Sequence, residues 1–291
     1  ENYPYPYVIG NTCWEFPCMV PSAWQAQNLQ QPNNPNTVRD WQTALDVVVR
    51  KQGIFNLVFH PHGWIRAQQI VEFVDYAANK YGQRVKFLTF REALQRLNRH
   101  LLGGHSLRSP SGLDHGVRML DLNGDGLLDV VIGADGVQVT RLWDPEKRTW
   151  RELPAPGPVV RRDNNHTWPA ARFGQIDGAP IVALRDDKDL SFFRFRNSGW
   201  QEMSGMRRGI RLPEDLLQLD GDIGLRLRDF DDDATSELVI ANEQLRATYS
   251  WNASAERWAQ SRAALPVPLV RAGRDAGVRF VDLNADGRDE L

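Results

Sequence analysis

Gly116-Val117-Arg118-Met119-Leu120-Asp121-Leu122-Asn123-Gly124-Asp125-Gly126-Leu127-Leu128-Asp129-Val130-Val131-Ile132 decides how this chain is read. A short alternating run enters an acidic loop, and an apolar run leaves it. Oxygen-bearing side chains fall at loop positions 1, 3, 5 and 9, as Asp121, Asn123, Asp125 and Asp129. Position 7, Leu127, offers its backbone carbonyl. Calcium is a hard cation that takes several oxygen ligands, and this spacing wraps one loop around it. Gly126, at position 6, permits the sharp turn. An EF-hand needs a glutamate at position 12 and a helix after it. Here position 12 is Ile132, inside the apolar run, so the loop joins two strands.

The entering run returns without gaps as Gly224-Leu225-Arg226-Leu227-Arg228-Asp229 and as Gly277-Val278-Arg279-Phe280-Val281-Asp282. The first two copies start 108 residues apart and the last two 53. A period near 54 predicts a copy near residue 170, and Ala170-Ala171-Arg172-Phe173 stands there. Trp143 and Trp150 recur 108 residues on as Trp251 and Trp258. A fixed period of this size means stacked supersecondary units. Each unit reads as strand, acidic loop, strand and hairpin. Four strands per unit suit a propeller blade, and the tryptophans are expected to pack between blades. Propellers close with about 4–8 blades. Residues 113–291 supply about three and a stub, so the chain reads as a fragment of a longer protein.

The third unit carries Asp229, Asp231, Asp233 and Glu237, with Thr235 at the carbonyl position and Ala234 where a glycine is wanted. An alanine at positive φ costs about 1 kcal/mol, so a weaker or reshaped site is expected. The last loop offers Asp282, Asn284, Asp286 and Glu290, with Gly287 at the turn and Arg288 at the carbonyl position. In the second unit Gln175, Asp177 and Ala179 replace the key positions, and a metal-free turn is expected. A single acidic loop can be a turn that binds nothing. Several in register favour calcium.

The chain has 291 residues, 42% hydrophobic and 25% charged, which suits a packed core rather than disorder. A net charge of -2 gives no basic footprint for nucleic acid. No apolar run approaches the roughly 18 residues that cross a bilayer. Cys13 and Cys18 can form a small disulfide loop or remain two thiols.

Residues 1–102 follow a different grammar. Thr37-Val38-Arg39-Asp40 suits a capping box, followed by Val38, Trp41, Leu45, Val48 and Val49 at helical spacing, with Gly53 at the expected C-cap. A short apolar strand, Ile54-Phe55-Asn56-Leu57-Val58-Phe59, runs into His60-Pro61-His62-Gly63. A second helix carries Ile70, Phe73, Val74, Ala77 and Tyr81 and ends at Gly82. Val85-Lys86-Phe87-Leu88 reads as the next strand, and Thr89-Phe90-Arg91-Glu92 caps a last helix. Helices alternating with strands imply a parallel sheet, a partial β/α barrel-like segment. A histidine at the end of such a strand sits where these folds place active sites, and it can act as general acid or base. Residues 103–112 read as a linker by composition.

Asp121–Asp129 and Asp282–Glu290, each after an apolar strand, resemble the FG-GAP/VCBS repeats of integrin-type and bacterial cell-surface propellers. The resemblance covers 113–291 and implies a Ca²⁺-dependent, extracellular or periplasmic binding module. Leu57-Val58-Phe59-His60-Pro61, the helix after it and Val85–Phe90 resemble the C-terminal part of polysaccharide deacetylases of the NodB-homology type. Leu57-Val58-Phe59-His60 matches that family's final Leu-x-x-His motif. The resemblance implies that His60 protonates the leaving amine when an N-acetyl group is hydrolysed, with His62 in support. It also implies zinc or another divalent metal in the complete domain, held by N-terminal ligands that this chain lacks, so the chain alone is expected to be inactive. Trp14-Glu15-Phe16-Pro17 resembles a structural segment of the same family. The resulting expectation is a secreted carbohydrate N-deacetylase whose propeller docks on a polysaccharide, a cell-surface glycan or a protein partner. The rivals are a non-catalytic calcium-dependent adhesion or scaffold protein and a small-molecule amidohydrolase of the allantoinase kind.

Overall fold

Helical periodicity gives way to alternation near residue 100, and the computed structural model divides there into two units, Glu1–His100 and Leu101–Leu291. It describes residues 4–60, 63–134, 136–162, 166–196, 199–262 and 264–281. His62, Asp282, Asn284, Asp286, Arg288 and Glu290 therefore lie outside the described residues.

In the first unit Tyr7–Ile9 (β1) pairs antiparallel with Cys13–Glu15 (β2), and a short helix, Ala23–Gln25 (α1), follows. The next helix, α2, spans Pro35–Lys51 and starts earlier than the Thr37 box predicts. Asn34 caps it by accepting from Asn36 N–H, and Pro35 occupies the first turn, where its missing N–H is no loss. Thr37 instead donates to Gln30 Oε1 at 2.6 Å. At the far end Gln52, not Gly53, takes the left-handed conformation (φ 57°). Gly53 is needed for a different reason: a Cβ there would stand 2.5 Å from Pro4. Helix α3, Ala67–Tyr81, stops at Gly82 as expected, and α4, Phe90–Arg96, carries the Thr89–Glu92 capping box in full. Trp41, Leu45, Phe73 and Ala77 form the core where α2 meets α3.

The two parallel strands expected at 54–59 and 85–88 are not formed among the described residues. The first segment spreads its hydrogen bonds over the irregular N-terminal stretch: Ile54 N–H to Pro4 O, Met19 N–H to Asn56 O and Ala23 N–H to Val58 O. No neighbouring extended segment takes up a regular ladder, and without one an extended chain is not a strand. Val58, Phe59, Phe87 and Leu88 are correspondingly exposed. Cys13 and Cys18 are free, exposed thiols.

The segment read as a linker is packed into the second unit. Leu102 and Leu107 are buried, and Ser109 N–H to Leu113 O and His115 N–H to Leu107 O close a turn. Three antiparallel four-stranded sheets follow, each in strict sequential order. The first holds Val117–Leu120 (β3), Asp129–Ala134 (β4), Val137–Asp144 (β5) and Thr149–Pro154 (β6). A small hairpin, Val160–Arg162 (β7) with Thr167–Pro169 (β8), precedes the second sheet. That sheet is Ala171–Ile176 (β9), Ala179–Arg185 (β10), Leu190–Arg196 (β11) and Gly199–Glu202 (β12). The third is Leu225–Arg228 (β13), Glu237–Ala241 (β14), Arg246–Asn252 (β15) and Arg257–Gln260 (β16). Val270–Arg271 (β17) and Arg274–Asp275 (β18) form a last hairpin. None of these sheets closes into a barrel among the described residues.

The register is the repeat made physical. Arg118 faces Val131, Arg172 faces Ala183 and Arg226 faces Val239, at the same step of each sheet. Side chains alternate across a strand, and here both faces are covered. Ile181 and Ala183 join one core with Leu238, Ile240 and Trp258 of the third sheet. Val182, between them, joins another with Val131 and Leu142 of the first. A strand buried on both faces must be apolar at every step, which is why the second strand of each unit reads as a continuous apolar run. The tryptophans behave differently from expectation. Trp143 and Trp150 face each other within one sheet, centroids 5.1 Å apart, as do Trp251 and Trp258 at 5.4 Å. The buried Trp258 also meets the second sheet, at Phe192. Trp200 crosses sheets as well, its indole donating to Thr140 Oγ1 at 2.9 Å.

Candidate metal centre

Each acidic loop springs from the first strand of a sheet and returns into the second, so its ends are fixed by the ladder. In the first loop Asp121 folds back to cap its own turn. Its Oδ1 accepts from Gly124 and Asp125 N–H and its Oδ2 from Gly126 N–H. Leu127 N–H donates to Asp125 Oδ1 at 2.8 Å. Gly126 has φ 80°, as the turn demands. Asp129, fully buried, begins β4, where its two oxygens accept from Leu122 and Trp143 N–H at 3.1 and 3.0 Å. Burial pushes its carboxyl above the usual range, although both backbone donors pull the other way.

The third loop repeats much of this bonding. Asp229 accepts from Asp233 and Ala234 N–H, Thr235 N–H donates to Asp233 Oδ1, and Phe230 N–H donates to the buried Glu237. Burial raises the Glu237 carboxyl, and the charges of Asp231 and Asp233 push in the same direction. Ala234 takes the left-handed conformation foreseen for it, φ 65°. One oxygen from each of Asp229, Asp231 and Glu237 lies within 4.8 Å of the others, with Asp233 outside the group. Three carboxylates at this spacing repel one another, and a divalent cation among them relieves the repulsion. The first loop converges less closely. There Asp125 Oδ2 accepts from Asn123 Nδ2 at 2.9 Å. The oxygen-only donor set fits a hard cation in both loops.

The second sheet has no loop of this kind. Asp177 and Gly178, both at positive φ, make a two-residue hairpin turn between Ile176 and Ala179. This turn rests on the third loop. Gln175 Nε2 donates to Asp229 Oδ2 at 3.3 Å, Asp177 N–H to Thr235 Oγ1 and Gly178 N–H to Ala234 O. Gln175 occupies the position of Asp121 and Asp229 in its own repeat, and that register is the one sequence signal pointing to it. Its reach into the neighbouring loop is not visible in the sequence.

In the first unit His60 is exposed, its ring 4.7 Å from that of Trp64. Among the described residues of Glu1–His100 no three histidine, cysteine or acidic side chains converge as Asp229, Asp231 and Glu237 do. Among the described residues no helix is long and apolar enough to cross a membrane. Compared with known proteins, the chain matches no family model and no curated sequence.

Proposed function

We propose that Leu101–Leu291 is a calcium-binding β-propeller-type array that serves as an extracellular or periplasmic binding module. The observation that carries this reading is the convergence of Asp229, Asp231 and Glu237 in a loop whose hydrogen bonds recur at the matching positions of Asp121–Asp129. Sequential four-stranded sheets with both faces of their second strands buried support stacked blades. The cation is held by Asp121, Asn123, Asp125, the Leu127 carbonyl and Asp129 in one loop. In the other it is held by Asp229, Asp231, Asp233, the Thr235 carbonyl and Glu237. Extracellular modules bind calcium at the high levels found outside cells, and an oxygen-only loop suits that setting. The ligand class is a polysaccharide or cell-surface glycan.

The test is calcium titration of the full chain by calorimetry and thermal unfolding. Calcium at about a hundred times its Kd should raise the Tm of the sheet-rich unit by roughly 5–10 °C, and EDTA should reverse the rise. Glu237→Gln should remove one binding event and leave the rest. An unchanged melting curve with and without calcium sinks the reading.

A second reading rests on His60, exposed at the end of segment 54–60 with its ring tilted against that of Trp64. It makes the first unit part of a divalent-metal N-deacetylase acting on acetylated glycans, with His60 as the acid for the leaving amine. Metal-dependent acetate release by the full-length protein, lost in His60→Ala with the fold retained, is its expected result. Equal release from the variant removes His60 from the chemistry.

A further inference from the structure

The repeat contains a second motif, separate from the acidic loops. Asp-x-Gly-x-Arg occurs as Asp114–Arg118, Asp222–Arg226 and Asp275–Arg279. In all three the aspartate Oδ1 accepts from the glycine N–H, at 2.8, 2.8 and 2.7 Å. The arginine then closes back onto the same carboxylate at 2.9, 3.0 and 2.9 Å. The second sheet keeps the arginine and has lost the acid. There the sequence is Trp168-Pro169-Ala170-Ala171-Arg172, with Trp168 in the aspartate's place.

Without an acid of its own, Arg172 reaches into the third sheet. Its Nη2 donates to Asp222 Oδ2 at 2.6 Å and its Nε to Leu225 O at 2.7 Å. Asp222 therefore serves two guanidinium groups, Arg172 and its own Arg226. Arg118, Arg172 and Arg226 sit at one register step of the three first strands, with side chains 14%, 18% and 26% exposed. Asp114 and Asp222 are the two carboxylates paired with these three cations, and Asp275, paired with its own Arg279, acts on Arg226 from farther off. Burial, then the charge of Arg226, with a lesser push from Arg118, lowers Arg172 to about 10. Among the described residues Arg172 Nη1 and Arg226 Nη2 make no hydrogen bond, and neither atom is a fully buried orphan. The row thus carries one excess positive charge and unused donors in a partly desolvated setting, where a charge-assisted bond is strongest.

We propose that the first-strand arginines Arg118, Arg172 and Arg226 form an oxyanion-binding site, accepting a carboxylate or sulfate group of an acidic ligand. Guanidinium forks match such planar or tetrahedral oxyanions. The site uses no residue of the acidic loops and does not depend on calcium.

The test is calorimetric titration of the full chain with a galacturonate trisaccharide and, separately, with sodium sulfate at matched ionic strength. Saturable binding of either is expected, weaker as chloride rises. Binding of the trisaccharide assigns the anion to an acidic glycan, and binding of sulfate alone assigns it to a free ion. Arg172→Gln leaves Asp222 paired with Arg226, so it should keep the circular-dichroism spectrum and weaken binding about tenfold or more. Trp168→Asp, which gives the second sheet its own acid, should weaken binding likewise. No binding of either probe, or wild-type affinity in a folded Arg172→Gln, overturns the proposal.

Discussion

Ala234 holds φ 65° because the loop around Asp229 needs a left-handed residue there, the place Gly126 fills in the first loop. The alanine Cβ makes that conformation costly, so Ala234→Gly should stabilise the second unit by about 1 kcal/mol. A lower urea midpoint in the variant would show that the loop has adapted to alanine. Asp222 allows a sharper prediction. Burial by itself would raise its carboxyl, but Arg172 and Arg226 outweigh burial and hold it below the usual range. A depressed acid contributes stability that is present above its unfolded value, near pH 4, and is lost as pH falls through the folded one. The urea midpoint of the native protein should therefore drop below about pH 4. Asp222→Asn should be about 3 kcal/mol weaker at neutral pH, because two partly buried guanidinium groups lose their counter-ion, and should show a shallower acid loss. Equal slopes for both proteins would place the acid sensitivity elsewhere.

Among the elements, capping residues separate what was legible from what was not. The Thr89–Glu92 box was readable and forms, with Thr89 Oγ1 accepting from Glu92 N–H and the glutamate accepting from Thr89 N–H. Thr89→Ala should cost the first unit about 1 kcal/mol, measured by chemical denaturation. The Thr37 box was equally plausible by pattern. It lost to Asn34 and Pro35, whose combined cap and fixed φ start the helix sooner. The apolar runs show the same split. Leu238-Val239-Ile240-Ala241 becomes a strand because the third sheet pairs it on both sides and cores cover both faces. Ile54–Phe59 is nearly as apolar yet finds no ladder. Leu238→Ala should cost roughly 2–5 kcal/mol, visible as a lowered midpoint of the sheet-rich unit. A loss under 1 kcal/mol, as is usual for surface positions, would mean that the two-faced packing is loose there.

At the level of the whole molecule, the repeat is conserved in register but not in chemistry. The second sheet has given up both its acidic loop and its Asp-x-Gly-x-Arg acid, and in each case it leans on the third. Gln175 bonds to Asp229, and Arg172 bonds to Asp222. The third sheet's two acidic positions thus hold the second sheet as well as their own turns. Residues in one such network couple, so Arg172→Gln, which shares a bond with Asp222, should be less than additive with Asp222→Asn, and Gln175→Ala, which shares none, should be additive with it. A double-mutant cycle should give a coupling of about 0.5–3 kcal/mol for Arg172 with Asp222 and near zero for Gln175 with Asp222.

The sequence by itself determined the change from helical to alternating grammar near residue 100, the 54-residue period, the register of the acidic loops and the left-handed residues Gly126 and Ala234 within them. These are local matters, fixed by side-chain alternation, by backbone sterics and by the spacing of oxygen donors. Only the tertiary structure decided that the tryptophan pairs lie within a sheet, that 54–59 forms no ladder, and that Gln175 and Arg172 serve the neighbouring sheet. Each of these depends on which surface lies opposite, and a side chain can take a partner from another unit whenever its own repeat fails to supply one. A periodic sequence states what each unit contains, and the packing of unequal units settles what each unit lends to the next.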